Sequence, residues 1–269
     1  MILRRVMEHL RKQEWTAIGI DFVIVVLGVF LGIQVSNWNQ AAADRRAESA
    51  YLSQLQGDLQ RIEAEVSSQV EFEQFQGRLV VTVGDLIASS PSADRSRKIS
   101  MALTQLTMRR TLRTESPTFT DLQSSGNLEI ISDLELRAAI ITYFFSARRL
   151  EAVIDKNNGY FVDEGFVQFM REQGLPVRPW DDQVMGVRVP SVGRTDGPFE
   201  DEIYSGRLFS GAIPALTNAP SASAWAPVVS QLSWRGLVAV SNESTARRLL
   251  DATNALEARI ADRLGGGRS

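Results

Sequence analysis

The residues of this chain that could do chemistry are carboxylates. Cysteine is absent and His9 is the single histidine. That excludes disulfides, thiolate nucleophiles and cysteine-ligated metals, and beyond residue 9 it leaves no imidazole for a Ser-His-Asp triad or a metal site. No phosphate-cradling Gly-rich loop and no Ser-x-x-Lys dyad occurs. The acid pairs Asp163-Glu164 and Asp181-Asp182 leave carboxylate-only hydrolysis, which needs two convergent acids roughly 5–10 Å apart. Glu200-Asp201-Glu202 has the oxygen donors of a hard-cation site, but at the start of a predicted helix the dipole alone explains it. Adjacent acids on a polar surface are usually just solvated. The expectation is therefore no catalytic residue, no metal and no cofactor. Asn242-Glu243-Ser244 matches a glycosylation acceptor, a triplet common by chance.

The elements that would have to position any site are helices, and one comes first. From Trp15 to Trp38 the chain is almost wholly apolar: Phe22 to Ile33 carries no polar side chain, and only Asp21 and Gln34 interrupt Ile18 to Val35. At about 1.5 Å per residue this stretch covers roughly 34 Å, close to a hydrocarbon core with its interfaces. Trp15 and Trp38 stand where an aromatic belt would lie. Asp21 is the one contrary feature. A charge at mid-bilayer costs about 2.5–3.5 kcal/mol, while each large apolar residue returns roughly 0.3–0.6, so the span survives.

Flanking charge sets the orientation. Arg4, Arg5, Arg11 and Lys12 precede the span and only Arg45 and Arg46 follow within a similar distance, which places the amino-terminal side in the cytoplasm. The expected organisation is a cytoplasmic amphipathic segment over 1–14, a transmembrane helix over 15–38, an extracytoplasmic helical domain over 39–264 and a flexible tail over 265–269. The rival is a cleaved signal peptide, with Ala41-Ala42-Ala43 as the cleavage site and a mature chain from Asp44. The apolar run is longer than a signal core of about 7–15 residues, which favours an anchor in the inner (cell) membrane.

Within the span, Gly28 and Gly32 form a small-xxx-small motif that fits homodimerisation, and Asp21 lies seven residues earlier on nearly the same face. An acid beside a helix contact can share a proton or meet a basic partner.

Gly19-Ile20-Asp21-Phe22-Val23-Ile24-Val25-Val26-Leu27-Gly28 and Gly32-Ile33-Gln34-Val35-Ser36-Asn37-Trp38-Asn39 resemble the opening of an uncharacterised family of bacterial single-pass membrane proteins. In that family a Gly-acid pair begins the span and an Asn-Asn-Trp-Asn run ends it; here Asp21 replaces the usual Glu and Ser36 the first Asn. Residues 119–128 (Phe-Thr-Asp-Leu-Gln-Ser-Ser-Gly-Asn-Leu) and 134–140 (Leu-Glu-Leu-Arg-Ala-Ala-Ile) resemble a second block. The resemblance covers about 140 residues and implies a membrane-anchored helical domain without assigned activity.

Composition fits a folded domain, with 44% hydrophobic and 23% charged residues. A net charge of −3 gives no reason to expect nucleic acid. No proline occurs before Pro91, so the first helix is expected to run to about Ile87, with Leu52, Leu55, Leu59, Ile62, Val66, Phe75, Leu79 and Val83 on its seam. Gln69 and Glu73 interrupt that seam, which favours one helix of an intramolecular bundle over a coiled coil between chains. Ser89 to Arg97 reads as a turn and Ile99–Arg110 as the second helix. Pro117 opens a short third helix ended by Gly126, and Ser132-Asp133-Leu134-Glu135 is a capping box for a long helix to about Arg171. Val184–Val189 reads as a short extended segment and Phe199–Ala212 as helical. Ser221–Leu264 reads as one helix, or two broken near Ser241-Asn242, burying Trp225, Val229, Leu232, Val240, Leu249, Leu256 and Ile260.

The fold class expected is thus all-α, an N-terminal transmembrane helix continuing into an extracytoplasmic bundle. The expected function is a non-enzymatic, membrane-anchored binding or scaffold protein that acts through another membrane or envelope protein. The cytoplasmic stretch is too short to carry an output domain. The alternatives are a carboxylate-dependent envelope hydrolase and a secreted soluble protein. The residues that carry the leading expectation are Trp15, Asp21, Gly28, Gly32, Asn37, Trp38 and Asn39.

Overall fold

A computed structural model describes the backbone of residues 15–175, 177–190 and 222–266, and the side chains within them except those of 15–21 and 222–224. Every regular element among these residues is helical. Helix α1 is Trp15–Ala88, α2 Ala93–Leu106, α3 Pro117–Ser124 and α4 Leu134–Asn157. A π-helical stretch, Asn158–Val167, leads from α4 into α5, Gln168–Glu172. One turn, Asp182–Met185, forms α6, and Ala222–Gly266 forms α7. The chain divides into two compact units, Met1–Leu52 and Ser53–Ser269.

In the first unit the described part of α1 is apolar and bare. Side chains from Phe22 to Val35 lie exposed, as does Trp38 at 75%. This is one helix, near the N-terminus, long and apolar enough to cross a membrane.

The second unit buries a stripe on each helix. On α1, Leu55, Leu59, Ile62, Val66, Phe75, Leu79 and Val83 are all in the core, as their spacing predicts. Helix α7 runs antiparallel to this part of α1: Gln60 Nε2 donates to Glu257 Oε1 at 3.2 Å, and Gln74 Nε2 to Glu243 Oε1 at 3.0 Å. It also packs on α4, where Tyr143 Oη and Thr253 Oγ1 share a hydrogen bond of 2.8 Å inside the core. Phe119 of α3 stacks on Phe144 of α4 with centroids 4.3 Å apart.

Several boundaries differ from the expected ones, each for a local reason. Helix α2 starts at Ala93 because Ser92, in extended backbone, accepts the Arg95 N–H as its N-cap, so the turn before it is shorter than Ser89–Arg97. It stops at Leu106, short of Arg110. The cap of α4 is Asp133, whose side chain takes the N–H groups of Glu135 and Leu136 at 2.9 and 3.0 Å; Ser132 does not fill that role. Residues 184–189 are not extended: Asp181 caps α6 and Gly186, at φ 67°, ends it. Helix α7 passes Ser241-Asn242 unbroken, with Val229 and Val240 exposed. The expected ends at Gly126 and Gly174 are observed, with φ of 74° and 61°. Phe199–Ala212 with its acidic triplet, and residues 1–14, lie outside the described residues.

The long helix from Leu134 to Glu172 is continuous but unwinds over its π-helical stretch. Its buried side chains there, Ile154, Asn158, Val162, Phe166 and Met170, recur every four residues. A repeat of four drifts off one face of an α-helix with 3.6 residues per turn. The wider i→i+5 winding keeps this stripe facing the core.

Gly57 and Gly84 sit on the outside of α1 with open space where a Cβ would go. Alanine has no contact to break there and favours helix by about 0.8–1 kcal/mol per site. Gly57→Ala and Gly84→Ala should therefore each raise the denaturation midpoint of the detergent-solubilised protein. A loss of stability in either would show that the helix interior is not what limits unfolding.

Candidate functional site

The polar groups that the fold brings together lie inside the bundle. They occupy the helix positions that an apolar seam would normally fill. Along α7 the residues Trp225, Val228, Leu232, Arg235, Ala239, Asn242, Ala246, Leu249, Thr253, Leu256 and Ile260 follow one another at alternating spacings of three and four, and all are buried. Along α1 the same spacing carries Leu55, Leu59, Ile62, Val66, Gln69, Glu73 and Gln76, again all buried. Gln69 and Glu73 therefore do not leave the seam; they are its polar layer, and Arg235 and Asn242 face them from α7.

Glu73 is the hub. Its Oε1 accepts from Gln69 Nε2 at 2.8 Å and from Asn242 Nδ2 at 3.1 Å. The same Asn242 Nδ2 donates to Asn158 Oδ1 at 3.1 Å, and Asn157 Nδ2 donates to Asn242 Oδ1 at 2.9 Å. Asn158, the first residue of the π-helical stretch, donates in turn to the Arg110 carbonyl at 3.1 Å. One carboxylate and three asparagines thus tie α1, α4 with its π-helical continuation, and α7 to the loop after α2.

Arg235 completes the layer by holding the buried end of α2. Helix ends leave carbonyls without intrahelical donors, and a cation is favoured beside them. Arg235 Nε donates to the Leu106 carbonyl at 3.0 Å and Nη2 to the Met108 carbonyl at 3.3 Å, while Gln76 Nε2 reaches the Gln105 carbonyl at 3.4 Å. This is why α2 ends where it does. Arg235 Nη1 faces Glu73 Oε2 at 3.8 Å, both residues 1% exposed, and neither atom has a hydrogen-bond partner. The pair is an electrostatic contact rather than a hydrogen-bonded bridge.

Burial pushes the Glu73 carboxyl up from 4.5 to about 7, against the opposing pull of Arg235, Asn242 and Gln69 and with the help of Glu243. Asp58 is a second buried acid with the opposite outcome. Burial raises it, but Ser116 Oγ at 2.5 Å, the Thr118 N–H at 3.1 Å and nearby Arg61 hold it below the usual carboxylate range. Asp58 of α1 thereby anchors the N-terminus of α3.

Next to that anchor lies a groove of about 660 Å³, lined among others by Ser116, Phe119, Asp121, Phe144, Arg148 and Glu151. Its Glu151 accepts from Thr114 Oγ1 at 3.0 Å.

A scan of protein-family models and searches of curated proteins and of solved structures match nothing to this chain.

The acids considered for hydrolysis are each engaged locally. Asp163 pairs with Arg109 at 3.0 Å and Asp181 with Arg97 at 3.3 Å. Asp182 Oδ1 accepts from the Trp180 indole at 2.9 Å, and Glu164 is exposed. Among the described residues no cluster of three or more acids or histidines is placed to hold a metal. Of the residues expected at the membrane, Gly28 and Gly32 have open space around them, and Asn37, Trp38 and Asn39 are exposed. Trp15 and Asp21 are in α1, with side chains outside the described set. The buried layer escaped a reading that followed apolar residues alone; the unbroken three-four spacing through Arg235 and Asn242 is the signal that finds it.

Two outcomes follow. Between pH 4.5 and 7 the folded protein holds a proton on Glu73 that the unfolded chain has released. This contribution is complete below 4.5, declines as pH rises through about 7 and is then gone; its upper size is about 3 kcal/mol. Denaturant titrations across that range should show the decline in wild type and not in Glu73→Gln. Separately, Arg235→Met should cost about 3–5 kcal/mol, because it strands a buried acid and two carbonyls. Adding Glu73→Gln to it should recover part of that loss, and a strictly additive double variant would mean that the two side chains do not interact.

Proposed function

We propose that this protein is a single-pass protein of the bacterial inner membrane, and that its helical bundle works outside the cytoplasm as a non-enzymatic binding or scaffold module. The observation that carries the membrane reading is the bare apolar surface of α1, where Phe22, Leu27 and Phe30 are 69%, 51% and 54% exposed. A core helix of a water-soluble domain buries such a face; lipid is the solvent in which an uncovered one is stable. The basic residues Arg4, Arg5, Arg11 and Lys12 before the span support a cytoplasmic amino-terminal side.

The bundle supports the binding reading by where its polar groups are directed. Gln69, Glu73, Asn158, Arg235 and Asn242 bond to one another and to backbone, as groups that hold helices together do. Outside, Trp234, stacked on Phe161, and Tyr160, Leu237 and Val240 leave aromatic and aliphatic surface in solvent. The partner in this reading is another membrane or envelope protein, with a second copy of the span as the alternative across Gly28 and Gly32.

Cell fractionation tests the anchor. The full-length chain should stay with the membrane fraction after alkaline carbonate washing, and cysteines introduced in the bundle should react with a membrane-impermeant maleimide added to intact spheroplasts. A soluble chain beginning at Asp44, or labelling only after lysis, would overturn it. Asp21→Leu should change in-membrane crosslinking of the span while leaving insertion intact; an unaltered crosslinking pattern would make Asp21 a boundary residue only.

A further inference from the structure

Acidic or cationic side chains at the described helix ends mostly have the sign that the dipole favours. Asp133 and Asp181 cap the N-termini of α4 and α6, and Arg235 takes the C-terminal carbonyls of α2. Arg95 is the exception. It is the third residue of α2, at the positive end, yet it is a cation and only 4% exposed. Its guanidinium lies 5.8 Å from the ring centre of Trp225, which is also 4% exposed and stands three residues after the start of α7. The first turns of two helices, each with its N–H groups leading, therefore meet around a buried cation.

The donors there are under-used. Arg95 Nη1 donates to the Ser89 carbonyl, but Arg95 Nε, Arg95 Nη2 and Trp225 Nε1 are buried with no acceptor. The nearest described acids along α2 and before α6 are already occupied, Asp94 by Lys98 at 2.8 Å and Asp181 by Arg97 at 3.3 Å. Three unsatisfied N–H groups, one full positive charge and two helix N-termini all call for the same thing, a compact group with several acceptor oxygens.

We propose that Arg95 and the Trp225 indole N–H form a binding site for a small inorganic oxyanion of the phosphate or sulfate type. Both side chains are almost wholly enclosed, so the site admits a compact ion and not the headgroup of a phospholipid with its chains attached. An anion here neutralises Arg95 and bridges α2 to α7, tying ligand occupancy to the stability of the bundle.

The test is titration of the full chain, in neutral detergent, with inorganic phosphate and with sulfate. Chloride at matched ionic strength is the control, and unfolding temperature and calorimetric heat are the readouts. The expected result is a saturable rise in unfolding temperature with the oxyanions and none with chloride. Affinity should fall about tenfold or more in Arg95→Gln and measurably in Trp225→Phe, which keeps the ring and removes only the donor. If Arg95→Gln fails to fold, Trp225→Phe alone decides. No oxyanion effect in wild type would overturn the site and mean that Arg95 is neutralised from within the chain. An effect unchanged in Trp225→Phe, or one produced by phosphatidylglycerol and not by free phosphate, would overturn it as well.

Discussion

The buried contact between Glu73 and Arg235 is the constraint on which the rest of the bundle depends. An apolar seam between two long helices can slide by a heptad at small cost, because leucine against leucine is much the same in either register. A layer of Gln69, Glu73, Arg235 and Asn242 cannot, since a shift would bury each of these groups against side chains unable to satisfy it. Such a layer contributes little net stability, because desolvating two charges offsets most of their attraction. What it contributes is a single alignment of α1 with α7. Arg235 then carries that alignment outward by taking the terminal carbonyls of α2, and Asn242 carries it to α4 through Asn157 and Asn158.

That coupling accounts for the π-helical stretch. If Asn158 must reach Asn242 and the Arg110 carbonyl while Phe166 and Met170 stay in the apolar core, the helix has to keep a four-residue repeat on one side. Regular α-helical winding would rotate Phe166 away from Leu103 and Leu232, its neighbours in that core. Unwinding costs backbone hydrogen-bond quality locally, and the packing of Val162, Phe166 and Met170 offsets it.

Much of this was legible in the residues. The absence of proline before Pro91 and the leucine spacing gave α1 nearly to its end, and Pro117, Gly126 and Gly174 marked turns whose geometry is observed. What was not legible depended on partners distant in sequence. The end of α2 at Leu106 is set by Gln76 and Arg235, and no local signal separates Leu106 from Arg110 as a stopping point. Val229 and Val240 are apolar and exposed while Arg235 and Asn242 are polar and buried, so a hydrophobic pattern alone inverts their roles. The spacing was the better guide, because the position of a side chain on a helix is geometric and its polarity is negotiable wherever a partner exists.

Helix α1 meets two solvent problems with opposite answers. From Phe22 to Val35 it turns apolar side chains outward and offers nothing polar, so no hydrogen bond is lost in a hydrocarbon surrounding. From Leu55 onward it faces water, and there it turns polar groups both outward and inward, the inward ones each matched to a donor or acceptor on another helix. Charge inside the bundle follows a rule that the span never needs: it sits where a helix end or an opposite charge meets it. Asp58 meets the start of α3 and Arg235 the end of α2. Arg95, at the start of α2, meets the wrong end of a dipole, and its unsatisfied donors make it the one described place where that rule requires something beyond the helices themselves.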